Sequence, residues 1–284
     1  RSSSSAASDV YKRQVLHRST SPCSWTTCDG GLHVNPIAAD PSHPRYASLL
    51  RRHLIEEAAS EGLLAGSAMI AHGRGEAFDY LLGERTTASA AGATREAYAR
   101  LRAAKHPVIS VNGNTVALAG RDLLHLAASL SCPLEVNIFY RTQARMDGLI
   151  SRLEAWCEED GLEVEVLGRR TDGRIDGLEG PRAQCDASGI AAADVVLVPL
   201  EDGDRCEALV AMGKTVLVVD LNPLSRTART ASVTIVDEVG RVAKALREHA
   251  AGSAHPAPNA AWDNDACLQA SLDEISAHLQ GRLP

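Results

Sequence analysis

Three carboxylates, Glu201, Asp202 and Asp204, stand together in one short acidic turn of the sequence. They follow the run 194–198 (DVVLV), which is short, continuous and rich in β-branched residues. Such a run predicts a strand that is buried on both faces. Carboxylates at the end of a buried strand attract either a magnesium ion or an ammonium group. An acidic turn that only faces solvent fits the same residues, so both interpretations stay open.

A second apolar run, 215–219, also ends in polar residues, because Asp220 and Asn222 follow it directly. Asp220 can accept a hydrogen bond from a ribose hydroxyl, and Asn222 can bond a phosphate, a ribose or a base edge. Pro223 then removes a backbone donor and restricts the turn. The competing interpretation is that residues 220–222 cap a helix predicted over 224–230 and serve stability alone.

The first predicted helix carries three arginines that could hold a phosphate. Ser42 can cap this helix, and a stripe of leucine and isoleucine predicts one buried face. Arginine suits phosphate because its planar fork can hold two oxygens. A solvated basic face is the competing interpretation. The three arginines are Arg45, Arg51 and Arg52, and the apolar stripe is Leu49, Leu50, Leu54 and Ile55.

A glycine turn around Arg74 follows the run 68–72, which we interpret as a strand leading into a helix. A turn of this kind lets backbone amides and Arg74 face an anion at the helix N-terminus. The dinucleotide fingerprint GxGxxG is not met, because Phe78 stands at its third glycine. Glycines that serve only a tight turn are an equally good interpretation.

Two further strand ends carry polar side chains. Asn112 and Asn114 flank a glycine directly after the apolar run 107–111, and Arg141 follows the run 134–140. Asparagine and glycine both tolerate positive φ, so the first group could be merely a turn. In an open α/β sheet, however, the carboxyl ends of the strands form the ligand crevice. An arginine there is well placed for a phosphate or a carboxylate.

The spacing of the predicted elements indicates the class of fold. Strands recur at intervals of roughly 25 to 40 residues and helices lie between them, which predicts right-handed crossovers. We therefore expect an α/β fold, with a mostly parallel sheet and flanking helices in a single main domain. Besides the strands named above, residues 164–167 and 233–237 are predicted strands. The remaining predicted helices are 86–105, 121–131, 143–158, 207–212, 239–249 and 267–279, and 168–183 is a predicted loop.

Composition restricts the classes of function. The formal net charge of −7 disfavours nucleic-acid binding, and no apolar stretch approaches the roughly 20 residues of a membrane span. The seven cysteines form no CxxC pair and no zinc set, which favours a reducing cytoplasm. Residues 1–41 lack apolar periodicity, and we interpret them as a disordered or artefactual extension. Residues 42–252 then form the main domain, and 253–284 form a linker and a helix that packs on it or on a dimer partner.

Six long segments occur in order between about residues 43 and 250. They are HPRYASLLRR, AMIAHGRGEAFDYLLGERT, PVISVNGN, EVNIFYRT, ADVVLVPLEDGDR and VDLNPLSRTA. Together they resemble segments of archaeal-type phosphopantothenate synthetase, the 4-phosphopantoate–β-alanine ligase of coenzyme A biosynthesis. The resemblance implies a homodimeric, Rossmann-like fold and the condensation of 4-phosphopantoate with β-alanine, in which ATP is cleaved to AMP and pyrophosphate.

The resemblance also implies a set of ATP-binding residues, with ATP as a substrate and Mg²⁺ as its companion ion. Activation as an acyl-adenylate requires no covalent nucleophile. Cys206 stands where the resemblance implies that relatives commonly have Thr, so we interpret it as a substitution, and no catalytic residue is assigned. By chemistry alone, Asn112, Asn114 and Arg141 are candidates for 4-phosphopantoate. A small-molecule kinase and a non-catalytic nucleotide-sensing module remain the alternatives. The implied ATP-binding residues are Arg52, Arg74, Asp220, Leu221, Asn222, Arg226, Thr227, Glu238 and Val239, with only the backbone of Glu238 expected to be shared.

Overall fold

A six-stranded parallel sheet lies at the centre of the structure, a computed structural model that describes residues 39–200 and 202–281. The strands are β1 Pro107–Val111, β2 Leu134–Val136, β3 Val166–Leu167, β4 Gly173–Arg174, β5 Gln184–Cys185, β6 Val195–Pro199, β7 Thr215–Val219 and β8 Val233–Ile235. In space the strands of the sheet are ordered β3-β2-β1-β6-β7-β8, and every neighbouring pair is parallel. The two short strands β4 and β5 form a separate antiparallel pair.

Helices flank the sheet, and several of them begin at a side chain that accepts a backbone N–H. Thr87, Asn112, Thr142, Ser225 and Glu238 are caps of this kind. Each satisfies donors that the first helical turn leaves unbonded. The helices are α1 Tyr46–Ser60, α2 Ser67–Leu82, α3 Ala88–Ala103, α4 Gly113–Leu130, α5 Gln143–Asp160, α6 Gly203–Ala211, α7 Arg226–Thr230, α8 Val239–Ala251 and α9 Asn264–Gln280.

Successive strand residues face opposite sides of the sheet, which divides the core into two layers. Leu197 and Leu217 join the larger apolar cluster with residues of α3, α4, α5 and α8. Val196 and Val216 join a smaller cluster, to which α6 contributes Leu209. Because both faces are covered, the strands are continuous apolar runs, as expected for a parallel sheet. The predicted α/β fold is confirmed.

The strand order reverses between β1 and β6. From β1 the chain proceeds to β2 and β3 on one side, and from β6 to β7 and β8 on the other. This is the doubly wound order of dinucleotide-binding sheets, in which a crevice opens where the two halves diverge. Residues that follow β1 and β6 therefore lie at the natural ligand position of this fold.

The predicted strand at 68–72 is wrong, because α2 runs from Ser67 to Leu82 without interruption through both glycines. Ala and Met favour the helix by propensity, and tertiary packing accommodates the glycines. A Cβ on Gly75 would lie 3.4 Å from Leu221 Cδ1, so this glycine brings the helix close to the end of β7. Arg74 consequently sits in the middle of a helix, and the predicted anion site at a helix N-terminus does not form around it.

Several predicted boundaries are also corrected, although β1 and β7 match their predicted ranges. Ser42 does not cap α1, because its side chain bonds Asp40 and the helix begins after Arg45. Helix α4 begins at Gly113 instead of 121, since Asn112 caps it. The predicted loop 168–183 contains β4 and a 3₁₀ turn at Pro181–Ala183. Strands β2, β3 and β8 are shorter than predicted, α6 begins at Gly203 and α7 at Arg226.

Helix α9 packs against α2 and α3 of the same chain. Glu274 accepts hydrogen bonds from the backbone N–H and the hydroxyl of Ser89, near the start of α3. Leu268 is buried beside Leu82 and Leu221, which ties the C-terminal helix to the end of β7. Within the described part of the chain, no helix has the length and apolar character needed to cross a bilayer.

Candidate active site

A cavity of about 650 Å³ opens at the carboxyl ends of the parallel strands. Segments that follow β1, β2, β6, β7 and β8 all contribute to it, together with α1, α2 and the turn before β5. This volume lies within the range of small-molecule and cofactor sites. The polar lining residues are Arg51, Ser67, His72, Glu76, Asp79, Asn112, Asn114, Tyr140, Arg145, Glu179, Arg182, Asp202, Asp204, Arg205, Arg226 and Glu238.

Asn112 holds together the two halves of the sheet at the mouth of this cavity. Its Oδ1 accepts from the backbone N–H of Thr115 at 3.0 Å and from the Thr115 hydroxyl at 3.1 Å. Its Nδ2 donates to the carbonyl of Leu200 at 2.9 Å, across the strand-order reversal. Both ends of the amide are thus bonded within the protein. Asn114, two residues along, donates to the carbonyl of Ala68 at 3.0 Å and so holds α2 against α4.

The acidic turn after β6 meets arginines. Asp202 accepts from Arg182 Nη1 at 2.6 Å, and Asp204 forms an ion pair with Arg226. Glu201, the third carboxylate of the predicted group, lies outside the described residues. Across residues 39–200 and 202–281, no group of three His, Cys, Asp or Glu side chains is arranged to hold a metal ion. Asp202 and Asp204 thus each contact an arginine that also lines the cavity.

The segment after β7 is held in place by Asp220. Its Oδ1 accepts from the backbone N–H of Asn222 at 2.9 Å, and its Oδ2 accepts from the Ser225 hydroxyl at 2.5 Å. Burial raises the pKa of Asp220, and these hydrogen bonds oppose that rise. Asn222 accepts from the backbone N–H of Leu224 at 3.0 Å, whereas Ser225 is the residue that caps α7. Asp220 thus organises the turn, and the buried side chain of Leu221 lines the cavity.

Arg52 and Arg74 lie beside the cavity and are not part of its lining. Arg52 forms a fork with Glu76, with Nε–Oε1 at 2.9 Å and Nη2–Oε2 at 2.7 Å. Although burial opposes it, hydrogen bonding to Arg52 and Ser48 holds the pKa of Glu76 below its usual value. Arg74 is exposed on α2 and has no ion pair with any residue that the structure describes. Its positive charge acts to lower the pKa of the Asp220 carboxyl, against the effect of burial.

The N-terminus of α8 forms another wall of the cavity. Glu238 caps this helix by accepting the backbone N–H groups of Gly240 at 2.9 Å and Arg241 at 3.1 Å. Thr227 and Val239, two of the residues implied by the resemblance, are both buried, and Val239 also lines the cavity. The wall thus combines a charged cap with apolar surface.

A buried ionic cluster supports this wall from behind. Arg241 bonds both Asp79 and Asp237, and the pKa of its guanidinium is raised because these bonds outweigh the burial that opposes them. Arg51 joins the cluster to the cavity, with longer contacts of 3.3 Å to Asp79 and 3.5 Å to Glu238.

Arg141 does not reach the cavity, because its Nη2 donates to the carbonyl of Gly168 at 2.6 Å. Burial lowers the pKa of this guanidinium. Arg145 and Arg182 line the cavity instead. Arg145 follows Arg141 by four residues, and this spacing could have identified Arg145 as a candidate for the cavity wall. Arg182 carries no such signal, since it is one arginine of several in a glycine-rich segment that we expected to be a loop.

A doubly wound parallel sheet with a cavity at its strand-order reversal is the architecture of Rossmann-like proteins, and the arginines of this cavity suit anionic groups. Residues 89–278 match the family described as phosphopantothenate/pantothenate synthetase, and the chain belongs to this family. It is 54% identical over 200 residues to the 4-phosphopantoate–beta-alanine ligase of Thermococcus kodakarensis, over 70% of this chain and 75% of the relative. It is 45% identical over 244 residues to the 4-phosphopantoate–beta-alanine ligase of Methanosarcina mazei, and the match covers 84% of this chain and 94% of the relative. The resemblance seen in the sequence is confirmed.

Proposed function

We propose that this chain is an ATP-dependent ligase that condenses 4-phosphopantoate with β-alanine to give 4′-phosphopantothenate, AMP and pyrophosphate in coenzyme A biosynthesis. One observation carries the proposal: the identity to the Methanosarcina mazei ligase extends over 94% of that relative's length. The cavity supports it independently, because its size and its arginines suit a phosphorylated acid and a nucleotide.

The proposed reaction activates a carboxylate, which is by itself a poor electrophile. A carboxylate oxygen of 4-phosphopantoate attacks the α-phosphorus of ATP, and pyrophosphate leaves. The amine of β-alanine then attacks the acyl carbon, and AMP leaves with the electrons of the broken C–O bond. Positioning of the reactants can supply up to roughly 7 to 11 kcal/mol of the barrier reduction. Such a mechanism requires no covalent bond between the substrate and the enzyme.

We place ATP along α1, α2, the end of β7, α7 and the start of α8, which together carry the nine residues implied by the resemblance. Gly203 lies within this region beside Arg226. A Cβ there would overlap Arg226 Nε, so the glycine leaves room for this guanidinium. The bonds of Asn112 and Asn114 support a positioning role at the proposed 4-phosphopantoate site. Contact of Arg141 with this substrate stays a prediction, and Arg145 and Arg182 are the arginines on the cavity wall.

We propose that Mg²⁺ enters the site together with ATP. Magnesium in such enzymes takes many of its ligands from substrate phosphates and water. A magnesium ion that arrives with ATP in this way is compatible with a site in which Asp202 and Asp204 form ion pairs with Arg182 and Arg226.

We also propose a homodimer in the cytoplasm. The exposed side chains of Ile70, Phe139 and Tyr140 support an interface near the cavity, since they are 67%, 56% and 54% accessible. Light scattering coupled to gel filtration tests the dimer, and a monomeric mass would contradict it.

The identity of the nucleotide product tests the proposed function. Purified protein incubated with ATP, 4-phosphopantoate and β-alanine should release AMP and pyrophosphate, and omission of either co-substrate should stop AMP release. A kinase would release ADP instead. A nucleotide-sensing module would bind ATP and release neither product, so either of these outcomes would refute the ligase.

A further inference from the structure

Arg145 is an arginine on the cavity wall whose positive charge is not balanced by a carboxylate. It belongs to the first turn of α5, is half-buried and lines the cavity. Its Nη1 donates to the backbone carbonyl of Tyr140 at 2.9 Å, and this bond fixes the direction of the guanidinium. Within residues 39–200 and 202–281 it forms no ion pair. Because a backbone carbonyl carries no net charge, the guanidinium presents its full charge to the cavity.

The other arginines of the cavity wall are held by side chains of the protein. Arg51, Arg182 and Arg226 each form an ion pair with a carboxylate. The buried Arg205 donates to the hydroxyl of Ser110 at 2.9 Å. A guanidinium that is paired with a carboxylate gains less from a second anion, because the carboxylate repels that anion. Arg145 is therefore the cavity arginine best suited to a strongly charged ligand group.

Arg145 borders an apolar part of the cavity. A Cβ on Gly113 would overlap the side chain of Leu64, and a Cβ on Gly148 would overlap that of Leu63. The leucine pair thus lies between the start of α4 and the first turns of α5. Gly148 follows Arg145 by three residues, and residues at this spacing share one face of a helix. The guanidinium consequently stands beside apolar surface, where its interaction with an anion is screened less than in water.

The position of Arg145 in the sheet matches one end of the proposed acid substrate. Helix α5 follows β2, which lies three strand positions, or roughly 14 Å, from β7, where we place part of the ATP site. In 4-phosphopantoate the carboxylate and the phosphate lie at opposite ends, with two methyl groups between them. The carboxylate must meet the α-phosphorus of ATP, so the phosphate extends away from β7. The surface of Leu63, Leu64 and Ile138 suits the methyl groups.

We propose that Arg145 binds the phosphate of 4-phosphopantoate and thereby makes the enzyme select this acid over pantoate, which lacks the phosphate. The proposal rests on the ligase function above. A phosphate monoester carries about −1.5 to −2 charges at pH 7 and therefore attracts an unbalanced guanidinium more strongly than a carboxylate does. The phosphate takes no part in the reaction. Its contact contributes equally to the bound substrate and to the transition state, so the contact should act on KM and not on kcat.

The test compares substrates with and without the phosphate in an Arg145→Ala variant. We expect the KM for 4-phosphopantoate to rise about 10- to 100-fold, as for the loss of a hydrogen bond to a charged group. The kcat and the KM values for ATP and β-alanine should stay within about threefold of wild type. Pantoate serves as a competitive inhibitor against 4-phosphopantoate. Its inhibition constant should also change less than about threefold, because pantoate has no group for Arg145 to bind.

Three further variants complete the test. Arg145→Lys keeps the charge but loses the planar fork, so its KM should lie between those of wild type and Arg145→Ala. Arg145→Gln can still donate to the Tyr140 carbonyl and lacks the charge. It should show the same rise in KM, which keeps the test valid if the alanine variant is unstable. Arg152→Ala removes a guanidinium of α5 that pairs with Glu61 outside the cavity lining, and should keep the wild-type KM.

Each outcome has a distinct meaning. An unchanged KM for 4-phosphopantoate in a folded Arg145→Ala or Arg145→Gln protein would overturn the proposal. Equal losses for pantoate and 4-phosphopantoate would also overturn it, because the phosphate would not be the group that is bound. A rise confined to the KM for β-alanine would overturn it by assigning Arg145 to the carboxylate of that substrate. Failure of the wild-type protein to release AMP with all three substrates would instead refute the ligase function, and this proposal with it.

Discussion

The side-chain amide of Asn112 donates a hydrogen bond to the backbone carbonyl of Leu200 at 2.9 Å, although 88 residues separate them in the chain. Leu200 adopts a left-handed conformation with φ of 57°, which is costly for a branched side chain. The bond therefore stabilises a strained turn at the point where the ends of β1 and β6 diverge. Because the acidic turn begins here, one amide couples the start of α4 to the geometry of the cavity.

We expect Asn112→Asp and Asn112→Ala to separate the two roles of this residue. The aspartate keeps the acceptor that caps α4 but loses the donor to Leu200, so the turn should relax and the KM for 4-phosphopantoate should rise. The alanine loses all three hydrogen bonds of the amide and should also lower the free energy of unfolding by about 1 to 3 kcal/mol. Urea denaturation and steady-state kinetics measure the two effects. Equal kinetics for Asn112→Asp and wild type would show that the bond to Leu200 does not shape the site.

Arg74→Ala should weaken ATP binding without lowering stability. The arginine is exposed on α2 and has no ion pair with a described residue, so its removal leaves no buried charge unpaired. The loss of a hydrogen bond to a charged phosphate typically costs about 1.5 to 3 kcal/mol. Isothermal titration calorimetry measures the change, with Arg102→Ala on the exposed face of α3 as the matched control. Unchanged ATP affinity in a folded Arg74→Ala protein would move the phosphates away from α2.

Asp220→Asn and Asn222→Ala should respond differently to ATP in thermal melting. Asp220 holds the turn after β7 through two hydrogen bonds, so its replacement should lower the melting temperature of the free protein by a few degrees. Asn222→Ala should leave the free protein nearly unchanged and reduce the ATP-induced rise in melting temperature. If Asn222→Ala retained the full rise, the nucleotide would not contact this strand end.

We expect the stability of the protein to decline as pH rises above about 5, because the buried carboxyl of Glu135 has a raised pKa. Burial is the main cause that raises the pKa of its carboxyl to about 7, although it accepts backbone N–H groups of Asp186 at 3.0 Å and Ile190 at 2.7 Å. A carboxyl whose pKa is higher in the folded state stabilises the fold most when it is protonated. This contribution is complete below the unfolded value of about 4.3 and is lost as pH rises through 7.

Urea denaturation between pH 4.5 and 8 tests the role of Glu135. The Glu135→Gln variant cannot ionise, so its unfolding free energy should vary less with pH than that of wild type, even if its absolute stability is lower. Parallel pH profiles for the two proteins would assign the dependence to other groups.

A truncated protein that starts at Ser42 should fold and retain activity. Residues 1–41 lack a periodic apolar face, so we propose that the main domain does not depend on them. Circular dichroism and the AMP assay compare the two proteins. Loss of either signal on truncation would show that this segment contributes to the fold or the site.

Sequence patterns were most reliable where one local signal dominates. The strands β1 and β7 are continuous apolar runs that are buried on both faces, and both match their predicted ranges. Where signals compete, prediction fails. The run at 68–72 has the composition of a short strand, but it is part of the helix Ser67–Leu82, in which only Asp79 and Leu82 are buried. Helix propensity outweighs the cost of two glycines, and one of them, Gly75, lets the helix approach Leu221.

By itself, the sequence determined the fold class, the family and the strand ends that carry polar residues, because apolar runs and long matching segments are local properties of the chain. The tertiary structure alone decided which of those polar residues share a cavity. In the tertiary structure Arg141 donates a hydrogen bond to the carbonyl of Gly168, and Arg182 donates one to Asp202. Nε2 of His72 is buried and has no hydrogen-bond partner among the described residues. Each of these facts depends on contacts between distant segments, and the spacing of residues along a chain does not specify such contacts.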